Sequence, residues 1–397
     1  ARFVVRTVLE ELRIGVAEGI VRDAIAKAYD INVDDVERVA NLLVDYSEVA
    51  KLAKKGKLAL QKITLTVGKP IKVMLAVLVK DIPEAFEALG KPFQIEQKLD
   101  GFRLEVHKIK NKITLFTRRM ENVTNQFPDV VEYVKKNVKG NSFILDSEAV
   151  GYDAQTKRYL PFQSISQRIK RKYDIDEMAK KFPIELNIFD IIHHNNKDLQ
   201  NLPLEERRKI LEKIVKQKKR QIVLTEKLVT ANEKEAEKFY KKALTEGMEG
   251  VMIKNLNATY KAGRYVGGWV KLKPILEPLD LVIVGAEYGS GKRAGALSSF
   301  VLACKHENKF LECGMMGTGI KEKKGEGITF TELTKLIKPL ITGEKGRSVK
   351  IKPKIVVEVI YSEIQKSPTY SSGFALRFPR LKRLRINEKT ADQANTL

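Results

Sequence analysis

A lysine followed two positions later by Asp-Gly and five positions later by arginine suits nucleophilic attack on a nucleotide phosphorus. The segment EQKLDGFR carries that pattern in Lys98, Asp100, Gly101 and Arg103. Lysine attacks only as the neutral amine, and holding an ordinary lysine neutral at pH 7 means overcoming roughly 4 to 5 kcal/mol of protonation free energy. Nearby cations must supply that depression. The pattern therefore calls for further Lys and Arg residues and a metal site elsewhere in the chain. FTRRMENVT offers Arg118, LDSEAVGYD offers Asp146 and Glu148, and NIFD offers Phe189. EGVMIK adds Glu249 and Lys254, WVKLK adds Lys271 and Lys273, and LRFPRLKRLR adds Arg377, Arg380 and Lys382. Lys271 and Lys273 alternate along a predicted strand, so both point to one face and suit a shared phosphate.

The elements that must position these residues follow from hydrophobic periodicity. Ile20, Val21, Ala24, Ile25 and Ala28 repeat with a helical period, and Asn32 or Asp34 suits the cap of a second helix bearing Val36, Val39 and Leu43. Gly56, just after Lys54 and Lys55, reads as a helix stop. From Ile63 the texture turns to short β-like runs: FQIEQK, LEVHK, ITLFT, SFILDSEAV, IELNIFDII and GVMIK, with a helical insert over 204–219. This predicts an α+β domain with antiparallel sheets. A linker, KPILEPLD, is bracketed by Pro274 and Pro278, and the pattern beyond it reads as all-β, in a span the size of a small barrel. GSGKR at 289–293 is not a phosphate loop, because Ala286 stands where the first glycine should be and Arg293 follows the lysine. It reads as a basic hairpin loop. The runs QRIKRKY and KQKKR read as solvated helix faces.

A chain of 397 residues, 43% hydrophobic and 31% charged, suggests two or three globular domains. No apolar run approaches the ~20 residues that span a bilayer, and the first residues show no signal-peptide pattern, so an intracellular protein is expected. Cys304 and Cys313 stand too far apart for a zinc knuckle and are expected to be reduced structural thiols. With 73 Lys+Arg against 50 Asp+Glu, the net charge of +23 points to a polyanionic partner, nucleic acid before an anionic membrane surface. The abundance of Lys and Glu hints at a thermophile.

The ordered set of motifs resembles the covalent nucleotidyltransferases, in particular the ATP-dependent DNA ligases of archaea and eukaryotes, from about Ala1 to Leu397. The resemblance implies a multidomain α+β architecture. Residues 1–68 would be the last part of a helical DNA-binding domain, carried by LRIGVAEGIVRDAIAKA; 69–275 the antiparallel-sheet adenylation domain; and 276–397 an OB-fold β-barrel. Relatives carry more chain upstream, so an incomplete N-terminal domain is expected. It implies that Lys98 takes AMP from ATP and that Lys271 and Lys273 clamp the α-phosphate. Asp100 and Gly101 would belong to the nucleotide-binding motif, Arg103 and Arg118 would hold ribose and 5′-phosphate, Phe189 would stack on adenine, and Glu96 would accept the purine amino group. Glu148 and Glu249, on separate strands, match metal-binding carboxylates suited to Mg²⁺, with Mn²⁺ as an alternative. Arg377, Arg380 and Lys382 would reach the β- and γ-phosphates when the OB domain closes over the nucleotide. Tyr265 stands where relatives often place an arginine before the tryptophan, with Arg264 one step earlier, which weakens a basic contact there. The implied partner is nicked double-stranded DNA, acted on by a monomer, with a sliding clamp left open. The rival activities are an RNA ligase and a GTP-dependent capping enzyme, against which stand the helical segment and the LRFPR ending. Taken singly, Glu148 and Glu249 read as solvated strand-end carboxylates and Phe189 as core; the set gives them their meaning.

Overall fold

Apolar residues at helical spacing fold the N-terminal segment into short helices, Glu18–Ala28, Val33–Leu43, Tyr46–Lys54 and Lys57–Gln61. Asn32 caps the second, its side chain accepting from Asp34 N at 2.7 Å. Gly56, at φ +97°, both follows the third helix and opens the fourth. Val36, Val39, Val49 and Leu60 form their common core. The computed structural model describes residues 17–170, 173–264, 267–274, 276–323, 325 and 327–397. Contacts divide it into two units, Ala1–Pro274 and Ile275–Leu397.

The first unit is built on two sheets. Its strands are β1 (Val77–Val79), β2 (Phe93–Lys98), β3 (Phe102–Ile109), β4 (Lys112–Thr117), β5 (Ser142–Gly151), β6 (Ile184–His194), β7 (Lys197–Asp198), β8 (Ile222–Leu224), β9 (Lys227–Thr230), β10 (Gly250–Asn255) and β11 (Trp269–Leu272). One sheet runs β9-β2-β10-β11-β1 and the other β4-β3-β5-β6-β7, with β8 added beside β6. Pairing is antiparallel except at β11–β1 and β6–β8, and the short Met74–Leu75 segment pairs in parallel with Gly263–Arg264. Every predicted β run of this region lies in a strand. The side-chain period of two then sorts each strand. Phe93, Ile95, Val251, Ile253, Val270 and Leu272 pack with the helices Ile82–Leu89 and Glu233–Thr245 on one face of the first sheet. Leu104, Val106, Leu145, Leu186 and Ile188 pack beneath the second. The alternate residues, Glu96, Lys98, Lys254, Trp269, Arg103, Glu105 and Asp146 among them, therefore share the opposite faces, and the polar chemistry collects there.

The structure corrects several expectations. The insert over 204–219 is helical only to Ile214, where Val215 turns extended and bridges to Val138, so KQKKR lies beyond the helix. Within QRIKRKY, Arg168 is not solvated; it is buried, donates to Asp129 at 2.7 Å and lies 4.7 Å from the Phe127 ring. Arg171 and Lys172 fall outside the described residues.

In the second unit the strands are β12 (Leu279–Tyr288), β13 (Leu297–His306), β14 (Lys309–Met316), β15 (Ile341–Lys345), β16 (Ser348–Ile351), β17 (Val356–Ile360), β18 (Glu363–Lys366), β19 (Phe374–Arg377) and β20 (Arg380–Leu384). The main sheet runs β14-β13-β12-β16-β15, with β17 joining β12 to β20, all antiparallel. GSGKR is the loop between paired strands β12 and β13. The unit is not all-β: the helix Phe330–Ile337 packs into its core, started by a capping box between Thr329 and Glu332. The single predicted strand KIVVEVIYSEI breaks at Tyr361 and Ser362 into β17 and β18. Cys304 and Cys313 are free thiols buried in this core.

Candidate active site

Lys98 ends β2, and its register partner is Gly250, the first residue of β10. Gly250 holds φ +138°, and a Cβ on it would lie 2.1 Å from the Leu272 carbonyl oxygen, so glycine alone lets β10 start here against β11. Glu249 consequently sits in the bend before β10 rather than on the strand, its N–H donating to the Lys98 carbonyl at 3.0 Å. That geometry brings its carboxylate onto the Lys98 ammonium and, at 2.9 Å, onto Lys273 just beyond β11. One carboxylate oxygen thus joins the two lysines that the sequence placed far apart.

Glu148 stands opposite Arg103 in the β3–β5 pairing. Loss of hydration pushes its carboxyl up to about 7, against the pull of Lys98 and Arg103 and with the push of Asp146 and Glu249. Glu249 goes the other way: burial would raise it, but Lys98 and Lys273 together outweigh that and hold it below the ordinary glutamate range. A carboxyl raised on folding binds more protons in the native state, so Glu148 weakens the fold as pH climbs from the ordinary glutamate range, near 4.5, through about 7. Glu148→Gln is therefore expected to flatten the fall of unfolding free energy between pH 5 and 8 in a chelator, by roughly 2 to 3 kcal/mol at the alkaline end. An unchanged pH slope in thermal melts of the two proteins would contradict this placement.

Arg103 is drawn into the fold. Its Nε donates to Asp146 Oδ1 at 2.7 Å, its Nη2 to Asp146 Oδ2 and its Nη1 to the Met74 carbonyl at 2.7 Å. Tyr260, whose hydroxyl donates to Asp146 at 2.7 Å, completes the group, and Phe189 and Trp269 lie beside the guanidinium at 5.4 and 5.8 Å. Asp146 raises the Arg103 pKa despite its burial. Glu96 is also enclosed, 1% exposed, with Lys254 Nζ at 2.6 Å and the Gln94 amide donating to its other oxygen. Lys254 lies 4.7 Å from the Phe189 ring centre and 4.5 Å from that of Trp269, whose rings meet edge-on. Asp100 accepts from Phe162 N at 3.1 Å, and a Cβ on Gly101 would lie 2.3 Å from the Ala149 carbonyl, so the turn between β2 and β3 lies flat on β5. Lys271 pairs in register with Met252 and Leu78, and Arg118 is exposed in the turn after β4.

The structure thus gathers Lys98, Glu148, Glu249 and Lys273, and sets Glu96, Arg103, Phe189 and Lys254 in the buried layer beside them. Tyr260 and Arg208, which lies 4.0 Å from Glu96, carried no local signal in the sequence. Tyr265 lies outside the described residues. In the second unit Arg377 ends β19 and pairs with Glu363 at 3.2 Å, Arg380 opens β20 and is exposed, and Lys382 pairs with Glu358 at 2.7 Å. Among the described residues no helix is long and apolar enough to cross a membrane.

A lysine, its carboxylate and a second lysine are thus gathered beside a buried polar layer. Comparison with known proteins names the family. Residues 73–273 match the ATP dependent DNA ligase domain, and residues 293–388 the ATP dependent DNA ligase C terminal region. The DNA ligase of Nanoarchaeum equitans is 53% identical over 98% of this chain and 69% of its own length. That of Thermococcus onnurineus is 43% identical over 100% of this chain and 70% of its own. DNA ligase 2 of Methanosarcina acetivorans is 44% identical over 100% and 70%. The solved structure Pmar-Lig_PreS3 shares the fold with a TM-score of 0.63 at 21% identity, covering 96% of this chain and 75% of that one. The chain belongs to the ATP-dependent DNA ligases.

Proposed function

We propose that this chain seals 5′-phosphate, 3′-hydroxyl nicks in duplex DNA at the expense of ATP, with Lys98 as the nucleophile. The observation that carries the reading is that one carboxylate, Glu249, gathers Lys98 and Lys273 at a single point, so that a second cation stands beside the nucleophile. Lys98 Nζ, as the neutral amine, forms a bond to the α-phosphorus while the bond to the β-phosphate bridging oxygen breaks, giving AMP-lysine and pyrophosphate. The DNA 5′-phosphate oxygen then displaces lysine from the same phosphorus, and the 3′-hydroxyl displaces AMP from the 5′-phosphorus as it loses its proton. Each step is an in-line displacement, so the protein's part is positioning and charge. Lys273 and Lys271 hold the α-phosphate, Arg103 and Arg118 the ribose and 5′-phosphate, Asp100 and Gly101 keep the motif turn flat and Phe189 stacks on adenine; Glu96, whose two oxygens are taken by Lys254 and Gln94, does not read the amino group in this arrangement.

Glu148 and Glu249 fit a divalent cation. Glu148 is a carboxyl whose hydration is lost without a full complement of positive charge, and hard oxygens are what Mg²⁺ takes, with the remaining positions filled by water and phosphate. Such an ion supplies charge neutralisation at the phosphates. We assign residues 1–68 to a helical DNA-binding segment, 69–275 to the adenylation domain and 276–397 to an OB-fold domain that brings Arg377, Arg380 and Lys382 to pyrophosphate. DNA grip through Lys and Arg is sequence-independent and weakens with salt. The test is labelling with ATP carrying a labelled α-phosphate, followed by a chase with nicked DNA. The label is expected on the protein and then on DNA; labelling by GTP alone would point to capping chemistry.

A further inference from the structure

Three successive inward-facing residues of β3 hold one stretch of backbone. Arg103 donates to the Met74 carbonyl at 2.7 Å, Glu105 accepts from Ile71 N at 3.2 Å, and His107 Nδ1 accepts from Gly68 N at 2.9 Å. A ring that accepts at Nδ1 carries its proton on Nε2. Both Glu105 and His107 are 1% exposed, so these are buried bonds to a connecting segment that could otherwise run over the surface. The segment joins the N-terminal helices to β1. It is tied to the helices by Lys72 N donating to the Asn41 carbonyl at 3.0 Å, and to the interior by Met74 N donating to Tyr260 Oη at 3.2 Å. Ile71 and Met74 pack with Tyr260 and Trp269, and Leu42 of the helices and Phe189 touch the same cluster.

We propose that Glu105 and His107 are positioning residues for nick sealing: they clasp the 68–74 strap so that its Met74 carbonyl fixes the Arg103 guanidinium. Neither touches substrate. Their effect passes through the strap and through Arg103, which also ties the setting of the N-terminal helices to the nucleotide site. The inference rests on the reading of Arg103 as a site residue. A carbonyl that drifts by even an ångström lets the guanidinium follow, and misplacement of that size is costly in catalysis.

The test is a double-mutant cycle read as single-turnover sealing of pre-adenylated nicked DNA, at a temperature where circular dichroism shows every variant folded. Glu105→Met/His107→Leu, which removes both acceptors, is expected to slow sealing about tenfold with Arg103 present and less than about twofold in an Arg103→Ala background. Glu105→Gln/His107→Asn, which keeps an acceptor oxygen at each place, is expected to restore most of the rate. Equal losses with and without Arg103 would overturn the inference and make the clasp a folding device alone. Native sealing by Arg103→Ala would remove the site reading of Arg103 and the inference with it. Should the Met/Leu pair not fold, Glu105→Met alone carries the same cycle, with Glu105→Gln as its rescue.

Discussion

Lys98→Ala is expected to abolish covalent labelling by ATP while leaving fold and DNA binding intact. The change removes the nitrogen that must bond to phosphorus, and Lys273, the other partner of Glu249, is assigned to hold the α-phosphate rather than to attack it. Stability should move by less than about 1 kcal/mol, because the Lys98 side chain is already partly exposed and Glu249 keeps Lys273 at 2.9 Å, so no buried charge is orphaned. Lys98→Arg should be equally inert, since a guanidinium stays protonated at any working pH. Gel detection of labelled protein after incubation with labelled ATP decides the matter; full labelling of either variant would mean that another residue is the nucleophile.

Neutralising Arg377, Arg380 and Lys382 together is expected to separate the steps. Their proposed partners, the β- and γ-phosphates, leave with pyrophosphate, so only the first displacement should feel their loss. Formation of AMP-lysine should slow by at least about a hundredfold, the usual scale for removing charge stabilisation from a phosphoryl or acyl transfer, while sealing of a nick already carrying AMP should slow by no more than a few fold. The ion pairs of Arg377 with Glu363 and Lys382 with Glu358 are partly exposed, so breaking them should cost little stability. Equal losses in both single-turnover rates, at low salt with DNA saturating, would mean that these cations serve DNA grip or folding.

Strand alternation made much of the site legible. A period of two is enough to put Glu96 and Lys98 on one side of β2 and Phe93 and Ile95 on the other, and the observed register puts Lys254 and Trp269 with the first pair. Cross-strand partners such as Arg103 opposite Glu148 follow once the strands are known. What the sequence did not disclose is who neutralises whom. Asp146 was visible only as a possible carboxylate, yet it holds Arg103 and Tyr260; Glu96 was expected as an open acceptor, yet Lys254 and Gln94 occupy it here. Those contacts join residues many positions apart and leave no periodic trace. The helix Phe330–Ile337 was missed for a different reason: at eight residues it is too short for its period to stand out among the surrounding strand patterns.

The buried layer of charge also bears on temperature. Arg207 with Asp190, Arg103 with Asp146 and Lys254 with Glu96 fill space that leucine or valine would fill in an ordinary sandwich of sheets. Exposing apolar surface on unfolding raises the heat capacity and exposing polar surface lowers it, so an interior of this kind gives a flatter stability curve than an apolar one of equal size. The penalty for stripping water from ions also shrinks as water warms. These buried pairs therefore lose less of their worth on heating than a greasy filling would.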